Sequence, residues 1–119
     1  MVFNIMIGNT DDHLKNFIML HDYNGWRLSP AFDMVPNIGF NQEHVLRIGI
    51  QTRPPNTETL LTEIKHFGIK RRQHAMGIIE EVHVAVSKWP EIFSNYNVPE
   101  KDAERLGKDI GQRLKITSY

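Results

Sequence analysis

Read for the spacing of apolar and polar positions, the chain changes character near residue 56. Before that point apolar residues come in short runs broken by turn formers. After it they recur with a helical period. Val2-Phe3-Asn4-Ile5-Met6-Ile7 fits either the last turns of a helix or a buried strand, because so short a run carries no periodicity to separate the two. Gly8-Asn9-Thr10-Asp11-Asp12-His13 gathers side chains that compete for backbone hydrogen bonds, which predicts a loop. Phe17-Ile18-Met19-Leu20 and Trp26-Arg27-Leu28 flank a segment ending in Asn24-Gly25. Asn-Gly between two apolar runs predicts a β-hairpin, with Gly25 at positive φ. Ser29-Pro30 ends the second strand. Residues 37–55 read as irregular, with a short strand at His44–Ile50 and Pro54-Pro55 closing the stretch.

Three helices follow. Thr57 to Phe67 places Leu60, Leu61, Ile64 and Phe67 on one face, with Gly68 as its stop. From Lys70 to Trp89, Ile78, Ile79, Val82, Ala85, Val86 and Trp89 form a stripe at i, i+3, i+4 and i+7 spacing, ended by Pro90. Pro99 to Ile116 carries proline near its first turn and directs Ala103, Leu106, Ile110 and Leu114 inward. The stripes read as core. The expected fold is mainly α with one small β-hairpin, a single domain over 1–119. Residues 1–36 hold the loop and hairpin, and 56–119 form a helical bundle.

Composition narrows the function classes. The 119 residues are 40% hydrophobic and 24% charged, an ordinary globular balance with enough chain to bury a core. Fourteen basic and fourteen acidic residues cancel, so no bulk field supports direct nucleic-acid binding. No apolar run reaches the length of a membrane span, and Met1 to Gly8 lacks the pattern of a signal peptide. Cysteine is absent, which removes disulfides and thiolate chemistry and makes a reducing, cytoplasmic setting the expectation.

The chemistry concentrates in Asp11-Asp12-His13-Leu14-Lys15-Asn16 and in Asp33 beyond the hairpin. Phosphoryl transfer asks little covalent work of a protein. It needs a carboxylate to orient the nucleophilic hydroxyl, and hard oxygen ligands for Mg²⁺ beside the phosphates. A loop Asp, an Asn five positions on, and an Asp at the far base of a hairpin meet that need, since the hairpin folds Asn16 and Asp33 toward a common point.

Phe3-Asn4-Ile5-Met6-Ile7-Gly8-Asn9-Thr10-Asp11-Asp12-His13-Leu14-Lys15-Asn16-Phe17, followed by Trp26-Arg27-Leu28-Ser29-Pro30-Ala31-Phe32-Asp33-Met34-Val35-Pro36, closely resembles HipA, a family of bacterial toxin serine/threonine kinases from toxin–antitoxin modules. The likeness is strong over about the first 40 residues and only general in the helices beyond. It implies the C-terminal, helical lobe of a protein-kinase-like fold. It implies Asp11 as the catalytic Asp, His13 bracing the loop from behind, and Lys15 near the transferring phosphoryl group. Asn16 and Asp33 would ligate Mg²⁺, with ATP as co-substrate, a protein as phosphoryl acceptor and a HipB-like antitoxin as partner. The sequence carries no Gly-x-Gly-x-x-Gly, no Gly-Lys-Ser/Thr loop and no strand with a nucleotide lysine, features the family places in an N-terminal lobe. The expectation is therefore weak or absent ATP·Mg binding and no kinase competence in the isolated chain. The apolar N-terminal segment and hairpin should be covered by the other lobe or by a second copy. The alternative is a non-catalytic helical module that binds an antitoxin-like partner or its own copy.

Other signals are weaker. Glu63-x-x-His66 and Glu80-x-x-His83 have the spacing of di-iron bundles but lack two further glutamates on long helices. Lys70-Arg71-Arg72 reads as a solvated face, although it stands at the helix end where the dipole disfavours cations.

Overall fold

The structure, a computed structural model, describes residues 1–39, 43–49 and 55–118. The first run is a helix, α1 (Val2–Ile7), whose Asn4, Ile5, Met6 and Ile7 are all buried. Six residues are too few to hold a helix in water. Two features outside the run decide the matter. Gly8 adopts φ 73°, and its N–H and that of Asn9 bond back to Ile5 O at 3.3 Å and Asn4 O at 2.8 Å, closing the last turn. The helix also packs on both α3 (Arg72–Ser87) and α5 (Glu100–Thr117). The apolar run at the N-terminus thus belongs to the same core as the helical bundle.

After a 3-10 turn at Leu14–Asn16, strands β1 (Met19–Asp22) and β2 (Gly25–Leu28) form an antiparallel hairpin with Met19 opposite Leu28 and His21 opposite Trp26. Tyr23 and Asn24 make the turn. Gly25 follows at φ 101°, and Asp22 Oδ1 accepts the Asn24 N–H at 2.9 Å. The Arg27 guanidinium on Asp22 Oδ2, helped by that N–H, holds the Asp22 carboxyl below its usual range. Residues 43–49 form no strand, against the expectation for His44–Ile50. Their N–H groups turn toward the 9–13 loop, with Val45 N–H on Thr10 O at 2.9 Å, and Ile48 enters the core. Ile50 and Pro54 lie outside the described residues.

Helix α2 (Thr57–Thr62) starts where Asn56 Oδ1 accepts Thr59 N–H at 2.9 Å. A 3-10 turn at Ile64–Phe67 continues it, and Gly68 at φ 68° stops it as expected. The long stripe differs from expectation at its end. Helix α3 closes at Ser87, and α4 (Trp89–Asn95) begins at once, with Pro90 in its first turn. Proline there sacrifices no helical hydrogen bond, so Pro90 opens a helix rather than closing one. Ala85 and Phe67, expected inside, face outward. The core joins Ile5 and Met6 of α1 to Leu60, Ile79, Ile110 and Leu114. Thr57 donates from Oγ1 to Thr117 O at 2.8 Å, fastening the start of α2 to the end of α5. Among the described residues no helix is long and apolar enough to cross a membrane.

Candidate active site

The site lies where α1 gives way to the 9–13 loop and the chain returns from the hairpin. Asn9 is buried and donates through Nδ2 to Asn4 Oδ1 at 3.3 Å and to Asp33 O at 3.2 Å. One side chain thereby pins the loop to the residue beyond β2. Asp33 takes φ 54°, a conformation that Asp tolerates better than most residues. Asn37 repeats the pinning, with its N–H on Gly8 O at 2.9 Å and Nδ2 on Thr10 Oγ1 at 3.0 Å.

These restraints bring Asn16 and Asp33 together: Asn16 Nδ2 donates to Asp33 Oδ2 at 3.1 Å, across the base of the hairpin. The pair lines a recess of about 190 Å³ with Phe17, Ser29 and Phe32. Asp11 and Asp33 both line an adjoining recess of about 180 Å³, with Asn9 and Pro36 between them. Asp33 lines both recesses, Asn16 the first and Asp11 the second. His13 Nε2 lies 2.7 Å from Asp11 Oδ1, both side chains well exposed. Lys15 is exposed and lines neither recess.

The support beneath the loop comes from residues the sequence did not single out. Asp12 is buried; its Oδ2 is 3.2 Å from His44 Nδ1, and its Oδ1 accepts Leu46 N–H at 3.4 Å. Burial pushes the His44 imidazole below the ordinary histidine range against the pull of Asp12, with Arg113 adding to the lowering. Arg113, on α5, is buried and bonds Asp109 Oδ2 through Nε at 2.8 Å. This pair lies against Gly8: a Cβ there would come within 2.6 Å of Arg113 Nε and 2.7 Å of Asp109 Oδ2. A side chain at residue 8 would break the close approach of loop and helix. Asn9 was visible as a loop former and Asp12 as part of the acidic stretch with no role of its own, and nothing in local spacing announces that His44 and Arg113 meet that loop.

The remaining signals resolve as structure. Among the described residues no three His, Asp or Glu side chains gather as a metal-holding group, so the two Glu-x-x-His pairs share no centre. His83 Nε2 instead lies 3.2 Å from Leu114 O. Arg72 reaches Glu58 Oε1 at 2.7 Å, which offsets the adverse dipole at the start of α3.

A helical domain with an acidic loop, a hairpin and an Asn–Asp pair across its base is the class of protein that fold and site define. The HipA-like C-terminal domain family matches residues 1–89, and the chain belongs to that family. It is also similar to "Putative kinase Y4mE" of Sinorhizobium fredii, 33% identical over 123 residues that cover 97% of this chain and 29% of the relative. The chain thus spans less than a third of that relative's length. No solved structure matches it significantly.

Proposed function

We propose that this chain supplies the catalytic loop and metal ligands of a HipA-like serine/threonine protein kinase, transferring the γ-phosphoryl group of ATP to a protein hydroxyl. The Asn16–Asp33 contact across the hairpin, beside a recess shared with Asp11, carries this reading. The donor set suits magnesium. With Asn16 Nδ2 bonded to Asp33 Oδ2, Asn16 Oδ1 and the second carboxylate oxygen of Asp33 remain as hard oxygen donors. Mg²⁺ takes one or two such ligands together with phosphate oxygens and water, and when bound it neutralises charge building on the phosphates. Asp11 accepts the proton of the acceptor hydroxyl as its oxygen forms the new P–O bond and ADP leaves. His13 keeps the Asp11 carboxylate turned to that task.

These residues orient and neutralise; they do not grip a nucleotide. The fold class extends, on this reading, to the helical lobe of a protein-kinase-like fold. The nucleotide is held by a lobe outside these 119 residues, in keeping with a relative more than three times as long. The exposed apolar side chains of the hairpin, Met19, Trp26 and Leu28 among them, suit contact with such a lobe. Alone, the chain turns over no ATP. The same apolar face favours a second reading, a non-catalytic module that docks an antitoxin-like partner or its own copy.

The test uses the longest natural form of the protein with γ-labelled ATP and Mg²⁺. Label should pass to protein, and Asp11→Asn should lower kcat by about 10²–10⁴-fold, the usual worth of a positioned general base. Asp33→Asn should raise the Mg²⁺ requirement. Undiminished phosphorylation in both variants rejects the roles of Asp11 and Asp33, and absence of transfer in the parent favours the docking module.

A further inference from the structure

Two buried side-chain polar atoms among the described residues have no hydrogen-bond partner, His44 Nε2 and Arg113 Nη1. They belong to different parts of the chain. Buried polar groups in folded proteins are almost always paired. The two needs are complementary. If Nδ1 carries the proton that bonds Asp12 Oδ2, Nε2 is a bare acceptor, while Arg113 Nη1 can only donate. Both groups lie against the same loop, the guanidinium beside Gly8 and the imidazole on Asp12. The guanidinium Nε is already engaged with Asp109 Oδ2, which fixes the plane in which Nη1 lies.

We infer that Asp109, Arg113, His44 and Asp12 form one buried positioning chain that ties the 9–13 loop to α5. In it His44 is the neutral Nδ1–H tautomer, and its Nε2 accepts from one bridging water to which Arg113 Nη1 also donates. Asp12 is the end of the chain that matters. Both its oxygens are held, and its neighbour in sequence is Asp11. Gly8, pressed against the Arg113–Asp109 pair, fixes the other end of the same loop. Asp12, His44, Arg113 and Asp109 touch no reacting atom; they set where Asp11 stands. Two of the four, Arg113 and Asp109, lie beyond residues 1–89, outside the span that the family match covers. On this inference α5 is part of the site's scaffold rather than an appendage.

The consequence for turnover rests on the kinase reading, but the chain itself is read without activity. Long-range ¹H–¹⁵N spectra of the full chain, labelled at histidine, should show His44 protonated at Nδ1, with an Nε2 shift typical of an acceptor in use. Arg113→Met should move that Nε2 signal to the position of an unbonded acceptor and leave the Nδ1 proton in place. The Val45 and Leu46 amides, bonded to Thr10 and Asp12, should then exchange at least about tenfold faster. His44→Asn, which keeps a donor for Asp12 but places no acceptor where Nε2 stands, is the gentler variant should Arg113→Met unfold. With its amide nitrogen on Asp12, the asparagine oxygen falls short of the place of Nε2, so this variant should give the same acceleration, and the double change should add nothing further. An Nε2–H tautomer, a doubly protonated ring at neutral pH, or an Arg113→Met variant with unchanged His44 signals and amide exchange overturns the inference. In the longest natural form, Arg113→Met should lower kcat with KM for ATP unchanged. If that parent transfers no phosphoryl group, the kinase reading fails while the spectra still decide the chain.

Discussion

Asp11 and Asp12 are adjacent in sequence and opposite in circumstance. One carboxylate stands in solvent beside His13; the other is buried against His44. The sequence marks the exposed one as a candidate, because phosphoryl transfer calls for an Asp in a loop and the hairpin offers a way to bring Asn16 and Asp33 together. The buried one it leaves unmarked. Its partner His44 is 32 positions away, in a stretch with no periodicity, and a contact of that range leaves no trace in local spacing. The Asp12–His44 pair has a measurable signature. His44 is held below the ordinary histidine range, by burial first, with Arg113 and the chain's own amine adding to the lowering and Asp12 opposing it. Above the ordinary value of about 6.5 the ring is neutral in both folded and unfolded chains, and that stability is fully present. As pH falls below it, the unfolded chain takes up a proton that the folded chain refuses, so stability declines until the folded pKa is reached. For one group the loss cannot exceed about 1.4 kcal/mol per pH unit. Urea unfolding at about pH 7.5 and about pH 5.5 should show the drop, and His44→Asn should shrink it. Asp22, itself held low by Arg27, titrates only beneath this window. An unchanged pH difference in the variant would mean that His44 is not the group responsible.

At the level of elements, periodicity placed three helical segments, and the structure places helices within each. The failures occur where one residue type serves two ends of a helix. Proline cannot continue a helix, which makes Pro90 read as a stop; it begins α4 because its missing N–H falls in the first turn. What turns the chain there is the Trp89 ring, which stacks edge-on to Phe93 at 5.3 Å and lies over Gly107 of α5. A Cβ on Gly107 would collide with the six-membered ring of Trp89, whereas one on Gly111, a turn further along α5, meets nothing. The two glycines therefore predict opposite outcomes. Replacing glycine by alanine inside a helix gains about 0.8–1.0 kcal/mol from propensity alone. Gly111→Ala should show that gain as a higher urea midpoint. Gly107→Ala should lose it and more, since overpacking costs about 1–3 kcal/mol. A Gly107→Ala protein more stable than the parent would show that Trp89 does not hold α4 against α5.

For the whole molecule, the apolar surface is unevenly spent. The bundle buries most of its stripes, but the hairpin has only two strands and leaves Met19, Trp26 and Leu28 at 50%, 70% and 58% exposure. On the alternation of a strand these three, with His21, share one face, since Met19 pairs with Leu28 and His21 with Trp26. A lone two-stranded hairpin is marginal in water, so a cover that pairs with this face would stabilise it as well as shield it. The sequence pointed to both the N-terminal run and the hairpin as uncovered; the hairpin is, but α1 is buried in the bundle, because an apolar run does not say what lies on it. In the isolated chain the available cover is another copy. Light scattering should therefore show a mass above that of the monomer at about 10–50 µM, a range set by the micromolar strength of small interfaces. Trp26→Lys with Leu28→Lys should return it to the monomer. Those changes should leave the urea midpoint of the bundle within about 0.5 kcal/mol of the parent, because exposed positions contribute little to folding. If the chain is monomeric throughout that range and the lysine variant behaves identically, the face is not sticky enough to seek a partner. The hairpin would then be held by its own turn and by the Asn16–Asp33 contact at its base.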